Sequence, residues 1–168
     1  MIYVLRLLHI LSGAFWYGTV IFGARFLMPS LRSAGPAAGP VLAQLNQRKM
    51  PMAMMGAGIV NIGSGIWLMF MAAGGAPGVW MRTGMGRTFA IGGALAILAM
   101  VLGMIMSPPA AKRLGEIGAA VAKRGGPPTP EEAAETERLQ KRLGMSTVIG
   151  ATLLTLAVAA MAVARYVP

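Results

Sequence analysis

Long apolar stretches alternate with short polar segments along the whole chain, and this pattern predicts four membrane-spanning helices. A helix needs about 20 mostly apolar residues to cross a hydrocarbon core of about 30 Å. Each stretch is bounded by proline, glycine or charged residues, where a helix can end without losing an internal hydrogen bond. The predicted spans cover residues 2–28, 52–73, 88–107 and 145–167. We therefore expect an all-α, polytopic four-helix bundle that forms one transmembrane domain over residues 1–168.

The connection between the third and fourth spans, residues 108–143, is long enough to contain helices of its own. Pro108 and Pro109 are expected to end the third span. Residues 110–123 then carry apolar positions at helical spacing among basic ones, which predicts an amphipathic helix on anionic headgroups. The segment from Thr129 to Glu132 reads as an N-cap, a proline at the first helical position and a capping-box glutamate. We expect a stalk helix to start there, to be supported by Glu137 four residues before Lys141, and to continue into the fourth span with a bend near Gly144.

Small residues at helical spacing predict close approach of the spans to one another. Helices in lipid associate through close backbone packing and interhelical hydrogen bonds, because water no longer drives them together. The predicted packing stripes are Gly92, Ala96, Ala99 and Gly103 on the third span, and Thr147, Ala151, Thr155 and Ala159 on the fourth.

Composition supports a membrane protein and excludes several other classes. The chain is 56% hydrophobic and 12% charged, yet its formal net charge is +10. A nucleic-acid-binding domain would concentrate its basic residues in a polar folded unit, and a disordered chain would contain fewer apolar residues. There is no cysteine or aspartate, and none of the five glutamates lies in a predicted span. Thiolate sites, carboxylate pairs and hydrolytic triads are therefore absent from the spans.

The distribution of lysine and arginine predicts the orientation of the chain. Short cytoplasmic loops of membrane proteins carry an excess of these residues. Eleven of the fifteen lie in or next to the first and third connections. We therefore expect a multi-pass protein of the bacterial inner membrane, with the 108–143 connection in the cytoplasm and both termini in the periplasm. Tyr3, Trp80 and Tyr166 then lie at the outer interface, where aromatic residues with a polar group are favoured.

His9 is the candidate for chemistry inside the membrane. It is the only histidine, and it lies about two turns from the start of the first span, with Trp16 seven residues later on the same face. An ionisable residue at this depth is a functional hypothesis by default. His9 could form a hydrogen bond with a neighbouring helix, ligate a metal or haem iron, or pass a proton. One histidine per chain cannot provide two histidine ligands to haem b. The second ligand would have to come from a second protomer or a methionine, or the iron would be five-coordinate.

Asn61, near the middle of the second span, is the other polar candidate. An unpaired amide is costly there, so we expect it to face the bundle and to bind a carbonyl, hydroxyl or water. Both a packing role and contact with a cofactor or substrate fit this position.

The predicted outer side has four arginines and no acidic residue. Uncompensated arginines near an interface bind phosphates or carboxylates, which lipid headgroups or haem propionates would supply. The four are Arg6, Arg82, Arg87 and Arg165.

Fifteen methionines raise the alternative of copper, because thioethers favour Cu(I). Methionine is also a common packing residue in apolar helices. The densest cluster, Met50, Met52, Met54 and Met55, lies at the predicted cytoplasmic side. The group on the same side as His9 comprises Met69, Met71, Met81 and Met85.

The segment from Leu8 to Gly18, followed by Pro29, resembles the first helix of the CopD-like superfamily of small four-helix membrane proteins. That helix carries a histidine, a tryptophan seven residues later, a glycine, and a proline at the inner exit. The ending from Met161 to Tyr166 also resembles bacterial members of this group. The resemblance implies a four-helix membrane fold.

One branch of that superfamily, the HemJ-type protoporphyrinogen oxidases, is similar in its histidine, tryptophan and arginine, which here fall on His9, Trp16 and Arg25. That branch also has a lysine in the third helix, whereas Arg87 is the nearest basic residue here. Copper-transport branches carry further intramembrane histidines, which this chain lacks.

The expected function is therefore an accessory or ligand-binding membrane subunit without catalytic machinery of its own, acting as a homo-oligomer or in a larger membrane complex. The alternatives are a haem-dependent tetrapyrrole oxidoreductase and a copper-handling protein.

Overall fold

A computed structural model describes residues 1–34 and 38–168, and the described chain is helical without strands. Four long helices are joined by short connections, two of which contain a short helix. In chain order the helices are α1 (Ile2–Ala34), α2 (Ala38–Gln47), α3 (Met50–Ala72), α4 (Pro77–Trp80), α5 (Gly84–Arg124) and α6 (Pro130–Tyr166), the last of which ends in a 3₁₀ turn, Ala164–Tyr166. The all-α class is thus confirmed.

The four long helices α1, α3, α5 and α6 are each long and apolar enough to cross a membrane. Large apolar side chains on them, such as Leu7, Phe26 and Phe70, are exposed. A water-soluble surface would rarely carry so much contiguous apolar area, whereas hydrocarbon is a suitable environment for it. The prediction of four helices that are long and apolar enough to cross a membrane is therefore confirmed.

The bundle consists of two antiparallel pairs. The most extensive contacts are between α5 and α6, followed by those between α1 and α3, and the two pairs touch each other less. Tyr17 and Thr155 connect α1 to α6, with their hydroxyl oxygens 3.3 Å apart. The C-terminal Pro168 packs against Gly84, where α5 begins, so this terminus and the start of α5 lie at one end of the bundle.

Small residues bring α5 and α6 together, as the sequence predicts for α5. Gly92, Ala96 and Ala99 are buried, and a methyl group at Gly92 would lie 3.1 Å from the carbonyl oxygen of Ala157. Gly103, the fourth residue of the predicted stripe, has no atom of another element within 4 Å of its Cβ direction.

The stripe predicted on α6 is partly wrong. Thr155 and Ala159 are exposed, whereas Leu154 and Ala157 are buried with Ala151. A constant step of four residues exceeds the 3.6 residues of a helical turn, so such a series rotates away from the contact face. Alternating steps of three and four keep residues on that face.

The prediction that Pro108 and Pro109 end a helix is also wrong, since both lie inside the continuous helix α5. Forty-one residues give α5 a length of about 60 Å, compared with about 40–45 Å for a bilayer including its headgroups. The helix is therefore longer than a bilayer is thick. Its prolines are exposed, so water or headgroups can hydrogen-bond the carbonyl groups that proline leaves free.

The segment predicted to lie on headgroups packs instead on the first part of α6. The two helices form an antiparallel extension of the bundle, here called the hairpin extension (residues 108–143). Its core contains Ala110, Ile117 and Leu139, with Ala110 only 1% exposed. Ser107 and Ser146, whose hydroxyl oxygens are 3.1 Å apart, link the helices at its base. The apolar stripe is thus buried by a partner helix that is close in sequence.

The beginning of α6 agrees with the prediction. Thr129 caps the helix, Glu132 completes the capping box, and Pro130 occupies the first turn. The Glu137–Lys141 pair also forms. At Gly144 the helix continues without interruption, and the missing side chain leaves room for the guanidinium group of Arg32.

Two bidentate ion pairs connect the helices of the hairpin extension. Arg113 donates to both carboxylate oxygens of Glu135 at 2.8 and 2.9 Å, and Arg124 donates to those of Glu132 at 3.1 and 2.6 Å. The hydrogen bond from Arg113 holds the pKa of Glu135 below its ordinary value, and that from Arg124 does the same to the pKa of Glu132.

These lowered pKa values predict that the hairpin extension loosens in acid. Ion-pair stabilisation is complete above the unfolded carboxyl pKa of about 4.3 and is lost as the pH falls through the lower folded values. The chain has no cysteine, so a nitroxide on Ala122→Cys would report from this region alone. We expect constant spin-label mobility between pH 8 and pH 5 and a rise below pH 4.

A double variant, Glu132→Gln with Glu135→Gln, is the control for that titration. Its label should already be more mobile at neutral pH and should respond less to acid. A parent protein whose mobility does not change down to pH 3 would contradict the assignment.

Candidate functional site

Helices α1 and α3 pack along a seam in which three large side chains each lie opposite a glycine. Because α1 and α3 run in opposite directions, the three contact positions ascend along α1 and descend along α3. The steps are four and then three residues on both helices. The facing pairs are His9 with Gly65, Asn61 with Gly13, and Trp16 with Gly58. The large residue thus comes from α1, then from α3, then from α1 again. Because each one lies opposite a glycine, the two backbones can approach closely.

The fit along the seam leaves no space for a methyl group at two of the glycines. A Cβ atom at Gly13 would lie 2.6 Å from Nδ2 of Asn61, and one at Gly65 would lie 2.8 Å from Cε1 of His9. At Gly58 the nearest atom, Cε2 of Trp16, would be 3.3 Å away. Trp16 and Asn61 are buried, with 7% and 8% of their surface exposed.

His9 and Asn61 bind each other's backbone reciprocally. Nδ1 of His9 lies 2.9 Å from the carbonyl oxygen of Asn61, and Nδ2 of Asn61 donates to the carbonyl oxygen of His9 at 2.8 Å. The side-chain amide of Asn61 thus faces the bundle and donates to a carbonyl oxygen, as its position in the span predicts. In hydrocarbon these paired bonds stabilise one relative position of the two helices.

The hydrogen bond to Asn61 determines the tautomer of His9. A carbonyl oxygen can only accept, so the short contact requires the proton on Nδ1. Ser64, whose hydroxyl oxygen is 3.4 Å from Nδ1, donates to the carbonyl oxygen of Val60 at 2.6 Å and leaves that proton in place. The lone pair of the neutral ring is then on Nε2.

Nε2 of His9 takes part in none of the hydrogen bonds formed by the residues that the structure describes. The ring is partly exposed. An acceptor without a partner is costly in an apolar environment, because no water replaces the missing donor. Histidines that ligate metals characteristically donate from the other ring nitrogen to a carbonyl or carboxylate, which fixes the ring and raises its basicity. His9 has this arrangement.

The four arginines predicted at the outer side are exposed and belong to the end of the bundle where α1 begins, α5 begins and α6 ends. They are Arg6, Arg82, Arg87 and Arg165. None takes part in the ion pairs of the described chain. Arg6 precedes His9 by three residues, which places it within one turn on α1. None of the hydrogen bonds formed by His9 and Asn61 within the described residues involves these arginines.

Two methionines of the group predicted on the same side as His9 contact other parts of the bundle. The sulfur of Met69 lies against α5, 3.9 Å from the Cβ direction of Gly93. Met71 lines a shallow apolar cleft with Met1, Trp67 and Phe70. Within residues 1–34 and 38–168 there is also no cluster of three or more histidine, aspartate or glutamate residues that could hold a metal ion.

Sequence reasoning missed Ser64 and the pairing of the seam glycines with specific side chains. A sequence pattern for this pairing was present, because positions 9, 13 and 16 of α1 carry a large, a small and a large residue. Positions 58, 61 and 65 of α3 carry a small, a large and a small residue, with the steps of three and four in the reverse order, as an antiparallel partner requires.

No protein-family model matches the chain, and neither a curated protein nor a solved structure matches it significantly.

Proposed function

We propose that this protein is a haem-binding subunit of the bacterial inner membrane, in which Nε2 of His9 would hold the haem iron. The observation that carries the proposal is the fixed imidazole: Nδ1 donates to the carbonyl of Asn61 at 2.9 Å, and Nε2 has no partner in the described chain. Haem brings four equatorial ligands of its own and requires one from the protein. A bare metal ion would need several protein ligands, and the described residues contain no such cluster.

The seam residues would act on the ring rather than on the iron. Asn61 orients the imidazole through its backbone carbonyl and fixes α3 against α1 through its side chain. Trp16 fills the seam two helical turns after His9. The exposed arginines Arg6, Arg82, Arg87 and Arg165 would bind the propionates of the haem or the phosphates of lipid headgroups. In a homo-oligomer, His9 of a second copy of the chain could provide a second ligand.

An accessory role is favoured over catalysis because the spans offer no acid–base pair. All five glutamates lie in the hairpin extension, and His9 is the only histidine. Haem supplies electron transfer when it is bound. A tetrapyrrole oxidoreductase resembling the HemJ-type enzymes would use the same iron ligand, and its distinguishing property would be oxidation of a porphyrinogen. Copper handling would need thioethers near His9, whereas Met69 faces Gly93.

A haem titration of the detergent-purified protein tests the proposal. We expect a sharpened and shifted Soret band that saturates at a fixed ratio of haem to chain, together with α and β bands after reduction. Empty micelles and heat-unfolded protein are the controls, because both dissolve haem without an oriented ligand. A spectrum identical to that of haem in empty micelles would overturn the proposal.

A further inference from the structure

A second candidate site lies at the opposite end of α1 from His9. A half-open cavity of about 480 Å³ lies between the last part of α1 and α6. Its volume is within the range of about 300–1,000 Å³ that is usual for small-ligand sites. It lies where α1 leaves the predicted hydrocarbon region at residue 28 and α6 enters it at residue 145. The cavity therefore straddles a predicted membrane surface.

The lining changes from cationic to apolar along the helix axes. Arg32 and Lys141 lie on the side of the hairpin extension, and Met28, Val148 and Ile149 lie on the side of the spans. This gradient matches a molecule with an anionic head and a hydrocarbon chain. A free inorganic anion would use only the cationic part.

Arg32 is held in place yet keeps unused hydrogen-bond donors. Its guanidinium group lies against Gly144, where a side chain would collide with it, and one nitrogen donates to the carbonyl oxygen of Gln140 at 3.3 Å. A guanidinium group has five N–H donors. Arg32 joins none of the ion pairs formed within residues 1–34 and 38–168.

Lys141 adds a second positive charge that can change partner. Its ammonium nitrogen is 2.7 Å from a carboxylate oxygen of Glu137, but both side chains are about 70% exposed. Such exposed ion pairs are weak, so a phosphate can compete for the ammonium group.

We propose that this cavity binds one anionic phospholipid, with the phosphate on Arg32 and Lys141 and an acyl chain along Met28, Val148 and Ile149. Charge complementarity selects the headgroup, since an arginine without a carboxylate partner forms charge-assisted bonds with phosphate oxygens. The apolar part of the lining and its position within the predicted hydrocarbon region select a lipid rather than a soluble phosphate.

Native mass spectrometry of the full chain, released from neutral detergent with added lipid, measures the occupancy. We expect phosphatidylglycerol to bind about tenfold more tightly than phosphatidylcholine, and Arg32→Gln to remove most of that preference, because a guanidinium group forms stronger hydrogen bonds with a phosphate than a neutral amide does. Arg142→Gln is the matched control: it removes the same charge one residue beyond Lys141, and Arg142 does not line the cavity.

A third variant tests the apolar half of the site. Val148→Phe should lower phosphatidylglycerol binding without any change in charge, and it should remain folded because Val148 is exposed. Equal losses in the Arg32 and Arg142 variants would overturn the proposal in favour of unspecific surface attraction. Competition by inorganic phosphate that matches competition by lipid would overturn it in favour of a simple anion site.

Discussion

The His9→Ala variant should lose the Soret shift of the parent protein, and added imidazole should restore it. Removing the ring takes away the iron ligand and leaves a space of the same shape next to Gly65, which free imidazole can enter. Because His9 would be the only iron ligand from this chain, we expect haem affinity to fall by at least about a hundredfold, or about 2.7 kcal/mol. Titration by absorbance, with and without imidazole, measures both parts of this prediction.

Ser12→Ala is the matched control for that experiment. Ser12 lies three residues from His9 on α1, and its hydroxyl group bonds backbone oxygens of its own helix. Its replacement should leave the Soret band unchanged. A His9→Ala protein that binds haem as the parent does would assign His9 to helix packing alone.

The Gly65→Ala variant should be less stable than Gly63→Ala by about 1–3 kcal/mol, the usual cost of overpacking a tight contact. A methyl group at Gly65 would lie 2.8 Å from Cε1 of His9, whereas Gly63 has open space around its Cβ direction. Both changes replace glycine by alanine inside α3, so the gain in helix propensity is common to both. Unfolding in detergent, followed by circular dichroism, gives the difference in free energy.

Combining Gly65→Ala with His9→Ala isolates the contact responsible. If the methyl group acts by displacing the imidazole, its cost should largely disappear once the ring is absent, and the double-mutant cycle should show a coupling energy of about 1 kcal/mol or more. Additive effects would show that the seam is disturbed elsewhere. Equal stability of the Gly65 and Gly63 variants would show that α1 and α3 are not as close as the seam indicates.

The number and composition of the long helices were predictable because a helix that crosses lipid needs a certain length and apolar content, and both can be read from a single sequence. The capping box at Thr129 and Glu132 was predictable because capping is local. The continuity of α5 through Pro108 and Pro109 was not, since Ala110, directly after them, is buried against α6, and this contact between two helices leaves no local signal in the sequence. Local proline rules were outweighed by tertiary packing.

The candidate site was predictable in part. Position within a span identified His9 and Asn61 as polar residues that need partners, but their reciprocal backbone bonds depend on the register of α1 against α3. The π-helical segment Gly23–Leu27 in α1 and the placement of Arg32 over Gly144 had no local signal. The outer arginines remain candidates by position alone.

The paired prolines of α5 also determine how the molecule responds to force. Pro108 and Pro109 remove two successive backbone hydrogen bonds from one side of the hairpin extension, while α6 has no proline between its first turn and its end. A helix bends most easily where its hydrogen-bond ladder is interrupted. A load applied at the tip should therefore flex α5 at its prolines, close to the predicted membrane surface, while α6 stays straight and carries the displacement along its length.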